Sequence, residues 1–167
     1  RYRKTFNGSP TFRRVMKGIE LLHKNKVEFN TLSVVTDYSS RFASETYMFL
    51  KKIGSGFMQF LPVVERVSDD YGETLRLVDP AYPKGAKVTE WSVKPRDFGE
   101  FLITIFDEWV RTDVARYYVQ IFDATLANYV GENPGLCVFN DTCGDALVME
   151  HNGDLFSCDH FVYPEYY

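Results

Sequence analysis

The three cysteines of this 167-residue chain, Cys137, Cys143 and Cys158, all lie toward its C-terminal end. Thiolates are soft ligands that suit zinc and iron–sulfur clusters, so cysteines confined to one segment predict a metal site there. Structural zinc sites and iron–sulfur clusters commonly take four protein ligands. Because the sequence holds three cysteines and ends soon after the third, we expect the fourth ligand to lie beyond its end and the chain to be part of a longer protein.

Two other interpretations of the cysteines stay open from the residues alone. Cysteine is among the most often buried residue types, so three ordinary core thiols are one alternative. A structural zinc in a non-catalytic binding or regulatory module is the other. Gly144 and the pair Asn152 and Gly153 lie between the cysteines, and they favour a metal site because they let the backbone turn and bring separated sulfurs together.

Three further side chains near the cysteines carry chemistry. Asp159 directly follows Cys158, which would place its carboxylate beside a buried metal centre, where burial raises a pKa toward the range of a useful base. From the residues alone, a loop aspartate that caps or forms an ion pair is favoured. His151 and His160 flank a predicted hairpin and could ligate a metal or donate protons. The simpler interpretations, a turn histidine and a packed histidine, are favoured for them.

The composition excludes several classes of function. Hydrophobic residues make up 45% and aromatic residues 16% of the chain, which supports a folded core and argues against disorder. The net charge of −4 gives no attraction to nucleic acid or anionic membranes, and no apolar run reaches the roughly 20 residues of a membrane span. An odd, clustered set of cysteines argues against a secreted disulfide framework, so we expect a cytoplasmic protein.

The apolar pattern predicts an α/β fold. Helical and strand-like segments alternate over the first 62 residues, which favours a parallel sheet with crossover helices. Turn residues then dominate 66–95, which we expect to form a long excursion with short strands near 75–78 and 87–93. An Asn-Gly turn predicts a hairpin between 146–150 and 154–157. The other predicted elements are helices over 11–25, 44–53, 98–114 and 124–130 and strands over 27–35, 57–61 and 117–122.

The cysteine segment resembles the start of the auxiliary-cluster region of anaerobic sulfatase-maturating enzymes, which are radical S-adenosylmethionine enzymes with a SPASM-type extension. The resemblance rests on the motif Cys137-x5-Cys143-Gly-x-Ala-Leu-x-x-Glu-His-Asn-Gly-Asp-x-x-Ser-Cys158-Asp-His-Phe-Val-Tyr-Pro-Glu-Tyr. Segments similar to the barrel of the same family are Thr11-Phe-x-Arg-Val-Met-x-Gly-Ile-Glu-Leu-Leu, Phe29-Asn-Thr-Leu-x-Val-Val, Tyr47-x-Phe-Leu-Lys-Lys-Ile-Gly and Met58-Gln-Phe-Leu-Pro-Val-Val-Glu.

This resemblance implies a fold, an activity and a set of site residues. Residues 1–130 would form the C-terminal part of a partial (β/α) barrel, including the excursion, and 131–167 the truncated start of the auxiliary-cluster region. Full enzymes of the family oxidise a cysteine or serine of a sulfatase to Cα-formylglycine, using S-adenosylmethionine and 4Fe–4S clusters. Cys137, Cys143 and Cys158 match three of the four ligands of the first auxiliary cluster. Asp159 matches the carboxylate proposed as the catalytic base.

Five residues are candidate contacts to S-adenosylmethionine. Arginine pairs bidentately with a carboxylate, and the ends of barrel strands commonly line the site. Phe60 and Leu61 are expected to cover the adenine, whereas a solvated helix face is the alternative for the arginines. The candidates are Arg3, Arg14, Gln59, Phe60 and Leu61.

The sequence lacks the Cys-x3-Cys-x2-Cys motif that holds the S-adenosylmethionine-cleaving cluster of this family. We therefore expect the chain alone to be inactive and to bind neither cofactor, while the longer protein acts on a sulfatase polypeptide. Exposed barrel edges favour self-association. The motif in upstream sequence would distinguish an enzyme from a zinc module. Another radical S-adenosylmethionine enzyme that modifies peptides is the nearest alternative within the enzyme class.

Overall fold

The computed structural model describes residues 3–68, 85–142, 146–163 and 166. Within these ranges the helices are α1 (Phe12–Lys24), α2 (Ala43–Lys52), α3 (Pro95–Thr112) and α4 (Gln120–Tyr129). The strands are β1 (Asn30–Val35), β2 (Phe57–Pro62), β3 (Arg66–Ser68), β4 (Ala86–Val88), β5 (Tyr118–Val119), β6 (Val148–Met149) and β7 (Leu155–Phe156). None of the described helices combines the length and the apolar composition needed to cross a membrane.

The strands β1, β2 and β5 form a parallel sheet in that order. β1 pairs with β2 along its whole length, from Asn30 beside Phe57 to Val35 beside Pro62. β5 pairs with β2 at two positions. Parallel strands need a crossover connection, and α2 and α3 lie in the two connections. The predicted α/β fold with a parallel sheet is therefore confirmed.

One face of the sheet packs on α2 and α3. Successive side chains of a strand point to opposite faces, so Met58 and Phe60 lie on the same side and are both buried. Phe60 meets Phe101 of α3 edge-on, with 5.3 Å between the ring centroids. Burial of such side chains supplies most of the stabilisation of a small domain. The other buried members of this cluster are Val35, Ala43, Tyr47, Leu50, Val93, Ile105, Trp109 and Val119.

The opposite face of the sheet is apolar but exposed. Leu32 and Val34 of β1 are 58% and 56% exposed, and Phe57 and Leu61 of β2 are 50% and 44% exposed. Phe57 stacks on Tyr118 of β5, with 4.7 Å between the ring centroids. The sheet therefore carries apolar side chains on both faces, but the described helices cover only one of these faces.

Several predicted boundaries differ from the structure. The strand predicted over 27–35 begins at Asn30, and the helix predicted over 98–114 ends at Thr112. α3 begins at Pro95 rather than at residue 98, because proline's fixed φ and missing N–H suit the first helical position. The strand predicted over 117–122 is wrong after Val119, where α4 begins. Asp123 in its first turn favours a helix N-terminus. The Ala124-Thr-Leu-Ala run adds residues with good helix propensity, which outweigh the β-type residues before it.

Within the predicted excursion 66–95, β3 and β4 pair antiparallel in a two-stranded sheet of their own. The strand predicted over 87–93 is thus shorter and ends at Val88. The indole of Trp91 donates a hydrogen bond to the Glu65 carboxylate, and the Trp91 carbonyl accepts one from the Asp37 backbone N–H. These bonds hold Trp91 beside the carboxyl ends of β1 and β2. The strand predicted near 75–78 lies outside the described residues.

β6 and β7 pair antiparallel across the predicted turn. Gly153 in that turn has a φ of 93°, which glycine adopts without a steric penalty. The Asn152 side chain accepts a hydrogen bond from the Asp154 backbone N–H at 3.1 Å. The hairpin, although shorter than predicted, brings the chain to Cys158.

Asp113 follows α3 and carries a buried carboxylate. It accepts hydrogen bonds from the Tyr47 hydroxyl at 2.8 Å and from the Lys51 ammonium. The Lys51 nitrogen also lies 5.1 Å from the ring centroids of Tyr47 and Tyr117, where cation–π attraction adds to the ion pair. Burial raises the pKa of Asp113, but the hydrogen bonds from Lys51 and Tyr47 outweigh it, so the pKa lies below the usual value. The network joins α2 to the end of α3.

Gly54, in the turn after α2, is expected to resist substitution by alanine. Its φ of 80° is left-handed, which costs other residues about 1–2 kcal/mol. A Cβ there would also lie 2.7 Å from Cε1 of His23, whose Nε2 lies 2.9 Å from the Ile53 carbonyl oxygen. We expect Gly54→Ala to lower the free energy of unfolding by about 1–3 kcal/mol, measured by urea denaturation with tryptophan fluorescence.

Gly18→Ala is the matched control for this substitution. Gly18 lies inside α1, and a Cβ there would meet no atom within 4 Å. Alanine is favoured over glycine in a helix by about 0.5–1 kcal/mol. We expect Gly18→Ala to keep or raise stability, and equal losses in the two variants would contradict the account of Gly54.

Candidate functional site

Cys158, Asp159 and His160 bring three metal-ligating atoms together directly after β7. The Sγ atom of Cys158 lies 3.2 Å from Oδ1 of Asp159 and 3.3 Å from Nδ1 of His160. Nδ1 of His160 lies 3.2 Å from Oδ1 of Asp159. The chain makes a 3-10 turn at Asp159–Phe161, where the Cys158 sulfur accepts the His160 backbone N–H at 3.5 Å. A sulfur, an oxygen and a nitrogen are thus in mutual contact.

The carboxyl group of Asp159 does not have the raised pKa predicted from the sequence. The Cys158 thiol donates a hydrogen bond to this carboxylate and, with nearby His160, holds the pKa of Asp159 below its usual value. Burial acts in the opposite direction and is outweighed, because the side chain of Asp159 is 76% exposed. The predicted direction is therefore wrong, and Asp159 is an ionised carboxylate at neutral pH.

His160 is the residue of this cluster whose role sequence analysis missed. The prediction of a packed histidine is wrong, because its side chain is 71% exposed and contacts Cys158 and Asp159. His151 lies in the hairpin turn, with Nδ1 at 3.7 Å from the Glu150 carboxylate. The available signal was the Cys-Asp-His triplet, since a tight turn brings a side chain back toward the one two positions before it.

The structure does not bring the three cysteines into one described site. Cys137 is exposed in a 3-10 turn, Cys137–Phe139, and is not part of the cluster around Cys158. Cys143 lies outside the described residues. Cys158 fits a thiolate ligand, because its buried sulfur lies near the ring nitrogen and the backbone N–H of His160, and such donors surround the sulfurs of iron–sulfur sites. The full ligand set stays a prediction.

The candidate contacts to S-adenosylmethionine lie at separate places. Arg3 lines a groove of about 640 Å³ between α1, β1 and α2, together with apolar side chains such as Leu32. Gln59 lines a different cavity of about 430 Å³ beside Tyr118. Arg14 is exposed on α1 and lines neither, as the alternative of a solvated helix face predicts.

Phe60 and Leu61 lie on opposite faces of the sheet. Phe60 is 7% exposed and packs against α3, whereas Leu61 is 44% exposed on the uncovered face. Adjacent residues of a strand cannot point to the same side, so the prediction that both cover one adenine does not fit this structure. Leu61 and Gln59 share the uncovered face and stay candidates.

Asp123 is a second residue that sequence analysis missed. It lines the cavity of Gln59 together with Gln120 and Asn30. Burial raises the pKa of its carboxyl group and outweighs a backbone hydrogen bond at Val119. The predicted strand ends at residue 122 and the predicted helix begins at 124, so the pattern puts Asp123 at a helix start. It does not indicate that this start lines a cavity with Gln59.

Comparisons with known proteins bear on the whole chain. No protein-family model matches it. Over 165 residues it is 47% identical to a serine-type anaerobic sulfatase-maturating enzyme of Bacteroides thetaiotaomicron, a match that covers 99% of this chain and 40% of that enzyme. Over 168 residues it is 32% identical to a cysteine-type enzyme of Clostridium novyi, which covers 99% of this chain and 41% of that enzyme. The chain is homologous to anaerobic sulfatase-maturating enzymes.

Solved structures agree with this homology to anaerobic sulfatase-maturating enzymes. The structure described as native anSMEcpe with bound AdoMet matches 98% of this chain and 41% of its own, with a TM-score of 0.77 and 31% identity. The structure with AdoMet and the Cp18Cys peptide matches with the same TM-score and identity and covers 42% of that chain. The predicted resemblance is confirmed. The chain spans about 40% of the length of the curated relatives it matches.

Proposed function

We propose that this chain is part of a radical S-adenosylmethionine enzyme that oxidises a serine or cysteine side chain of a sulfatase to Cα-formylglycine. The observation that carries the proposal is the 47% identity to a serine-type enzyme, which extends over 99% of the chain and therefore includes the Cys158 segment. The chain is similar to enzymes of both the serine type and the cysteine type. The proposed substrate is therefore a sulfatase polypeptide, and the experiment below tests both a serine and a cysteine as its target residue.

The proposal assigns residues 1–130 to the C-terminal part of a (β/α) barrel and 131–167 to the start of a SPASM-type auxiliary-cluster region. The exposed apolar face of β1, β2 and β5 supports the first assignment, because such side chains line the inside of these barrels. The β6–β7 hairpin that leads to Cys158 supports the second. β1 and β5 lie at the two edges of the sheet, where further strands or a second copy could pair.

The chain's own residues have distinct roles in this proposal. S-adenosylmethionine and 4Fe–4S clusters, when bound, supply the one-electron chemistry. Cys137, Cys143 and Cys158 would hold an auxiliary cluster as thiolates. Asp159 is ionised and would take up the proton released by the target side chain. The reducing cytoplasm suits these thiols. The proposed contacts to S-adenosylmethionine are Arg3, Gln59 and Leu61.

The test uses the full reading frame that contains this chain, purified without oxygen and reconstituted with iron and sulfide. The protein is incubated with S-adenosylmethionine, dithionite and either of two sulfatase peptides that differ only by a serine or a cysteine at the target position. We expect formylglycine, which mass spectrometry detects from serine as the loss of two hydrogen atoms. From cysteine it is detected as the replacement of sulfur by oxygen together with the loss of two hydrogen atoms. We also expect 5′-deoxyadenosine.

Two outcomes would contradict this function in different ways. Bound zinc without cleavage of S-adenosylmethionine would support the non-catalytic zinc module. Cleavage of S-adenosylmethionine with a different change in the peptide would support another radical S-adenosylmethionine enzyme that modifies peptides.

Replacing Cys137, Cys143 and Cys158 together with alanine is expected to remove one cluster from the full protein. Each iron–sulfur cluster is held by its own set of cysteines, so iron and sulfide should fall by the share of one cluster while the others remain. Ser157→Ala, beside Cys158, is the matched control and should change neither value. Unchanged iron and sulfide in the triple variant would show that these cysteines are not ligands.

A further inference from the structure

His160 lies where one N–H group can serve two neighbours. Its Nδ1 atom is 3.3 Å from the sulfur of Cys158 and 3.2 Å from the carboxylate of Asp159. Both neighbours accept hydrogen bonds, so the tautomer protonated on Nδ1 suits both contacts. The backbone N–H of His160 adds a second contact to the same sulfur at 3.5 Å.

This contact matters more once Cys158 is a ligand. In the structure the Cys158 thiol donates a hydrogen bond to Asp159 at 3.2 Å. A thiolate that ligates iron has no proton to donate, so the sulfur and the carboxylate would become two neighbouring anions. Like charges at such a distance repel each other. An N–H group within reach of both offsets this repulsion.

We propose that His160 is a positioning residue that donates its Nδ1 proton to the Cys158 sulfur and attracts the Asp159 carboxylate, which lies 3.2 Å from the same nitrogen. This inference rests on the proposed function, because it requires an auxiliary cluster at Cys158. Hydrogen bonds to a cluster sulfur are among the factors that set its reduction potential. By stabilising the more negative, reduced state, the His160 hydrogen bond raises that potential. The same ring nitrogen lies 3.2 Å from Oδ1 of Asp159, where its N–H attracts the carboxylate.

Variants of the full, reconstituted protein separate the Nδ1 donor from the rest of the ring. His160→Phe keeps an aromatic ring without a donor, and His160→Gln moves the N–H to the position of Nε2. His160→Asn restores an N–H near the position of Nδ1. His151→Phe is the matched control, because exposed His151 lies beside Glu150 in the same segment. A redox titration followed by electron paramagnetic resonance measures the auxiliary cluster's potential.

The second measurement is the amount of S-adenosylmethionine cleaved for each formylglycine formed. We expect a lower potential and a higher ratio in His160→Phe and His160→Gln, recovery of both in His160→Asn, and no change in His151→Phe. An unchanged potential in His160→Gln, or a shift that His160→Asn does not recover, would overturn the proposal. A wild-type protein without an auxiliary cluster would instead overturn the proposed function, before any variant is compared.

Discussion

Asp159→Asn in the full protein is expected to lower formylglycine formation by about 10²-fold or more, the scale on which the loss of a general base acts. Asparagine keeps the size of the side chain and removes the carboxylate that would accept a proton. An aspartate side chain is ordinarily a carboxylate at neutral pH, which is the form that accepts a proton. Cleavage of S-adenosylmethionine should continue, because it needs the first cluster and an electron. Mass spectrometry measures formylglycine and 5′-deoxyadenosine in one reaction.

The control for this variant is Asp141→Asn. Asp141 is an exposed aspartate of the same segment, and its replacement should change neither product. Iron analysis must show that Asp159→Asn keeps its clusters. A normal yield of formylglycine, or the loss of iron together with activity, would mean that Asp159 supports Cys158 structurally and is not the base.

Asp113→Ala is expected to lower the free energy of unfolding by about 3–5 kcal/mol, because removal of one partner leaves a buried charge uncompensated. The side chains of Lys51 and Asp113 are 19% and 4% exposed, so solvent screens this pair little. The variant also takes the acceptor from the hydroxyl of Tyr47, a fully buried residue. Urea denaturation measures the difference. Asp107→Ala, at an exposed position of α3, should change stability little, and a similar loss there would contradict the role of the pair.

The ion pair of Lys51 and Asp113 also predicts how the free energy of unfolding depends on pH. Burial alone would raise the pKa of Asp113, but the hydrogen bonds from Lys51 and Tyr47 place it below the usual value of 3.8. The unfolded chain therefore takes up the proton more readily than the folded protein. The stabilisation is complete above that usual pKa and is lost as the pH falls below it. Wild-type stability should fall more steeply below about pH 4 than that of Asp113→Ala, and parallel curves would contradict this origin.

Elements that depend on local signals could be predicted from the sequence. The apolar period and its end signals place α1 and α2 within one residue at each end, and an Asn-Gly pair places the β6–β7 turn. α4 shows where such signals compete. The run before Ala124 is rich in β-type residues, yet only Tyr118 and Val119 pair with β2, because pairing depends on residues distant in sequence.

The exposure and pKa of the candidate site residues depend more on contacts distant in sequence than the positions of the helices and strands do. Phe60 and Leu61 are adjacent and both apolar, and which of them is buried depends on which face of the sheet packs on α3. The local sequence pattern does not indicate which face that is. The pKa of Asp159 is lowered first by the hydrogen bond from the Cys158 thiol, and the exposure of its turn keeps the opposing effect of burial small. Its position after Cys158 in the sequence suggests burial instead. The cysteine motif itself could be recognised, because its residue types and spacing are properties of the sequence.

The cysteine segment, residues 137–163, contributes few side chains to the apolar core. Within the described part of 137–163, the buried residues are Phe156 and Cys158, while Val138, Leu147, Met149 and Leu155 are each between 67% and 71% exposed. A segment with so little buried surface takes its order from what binds it, because binding free energy then becomes folding free energy. We therefore expect the protein to fold in two steps. The sheet forms first, and the cysteine segment becomes ordered last, when iron is bound. Proteases should cut the iron-free protein here and spare the loaded one, and equal cleavage of both forms would contradict this order.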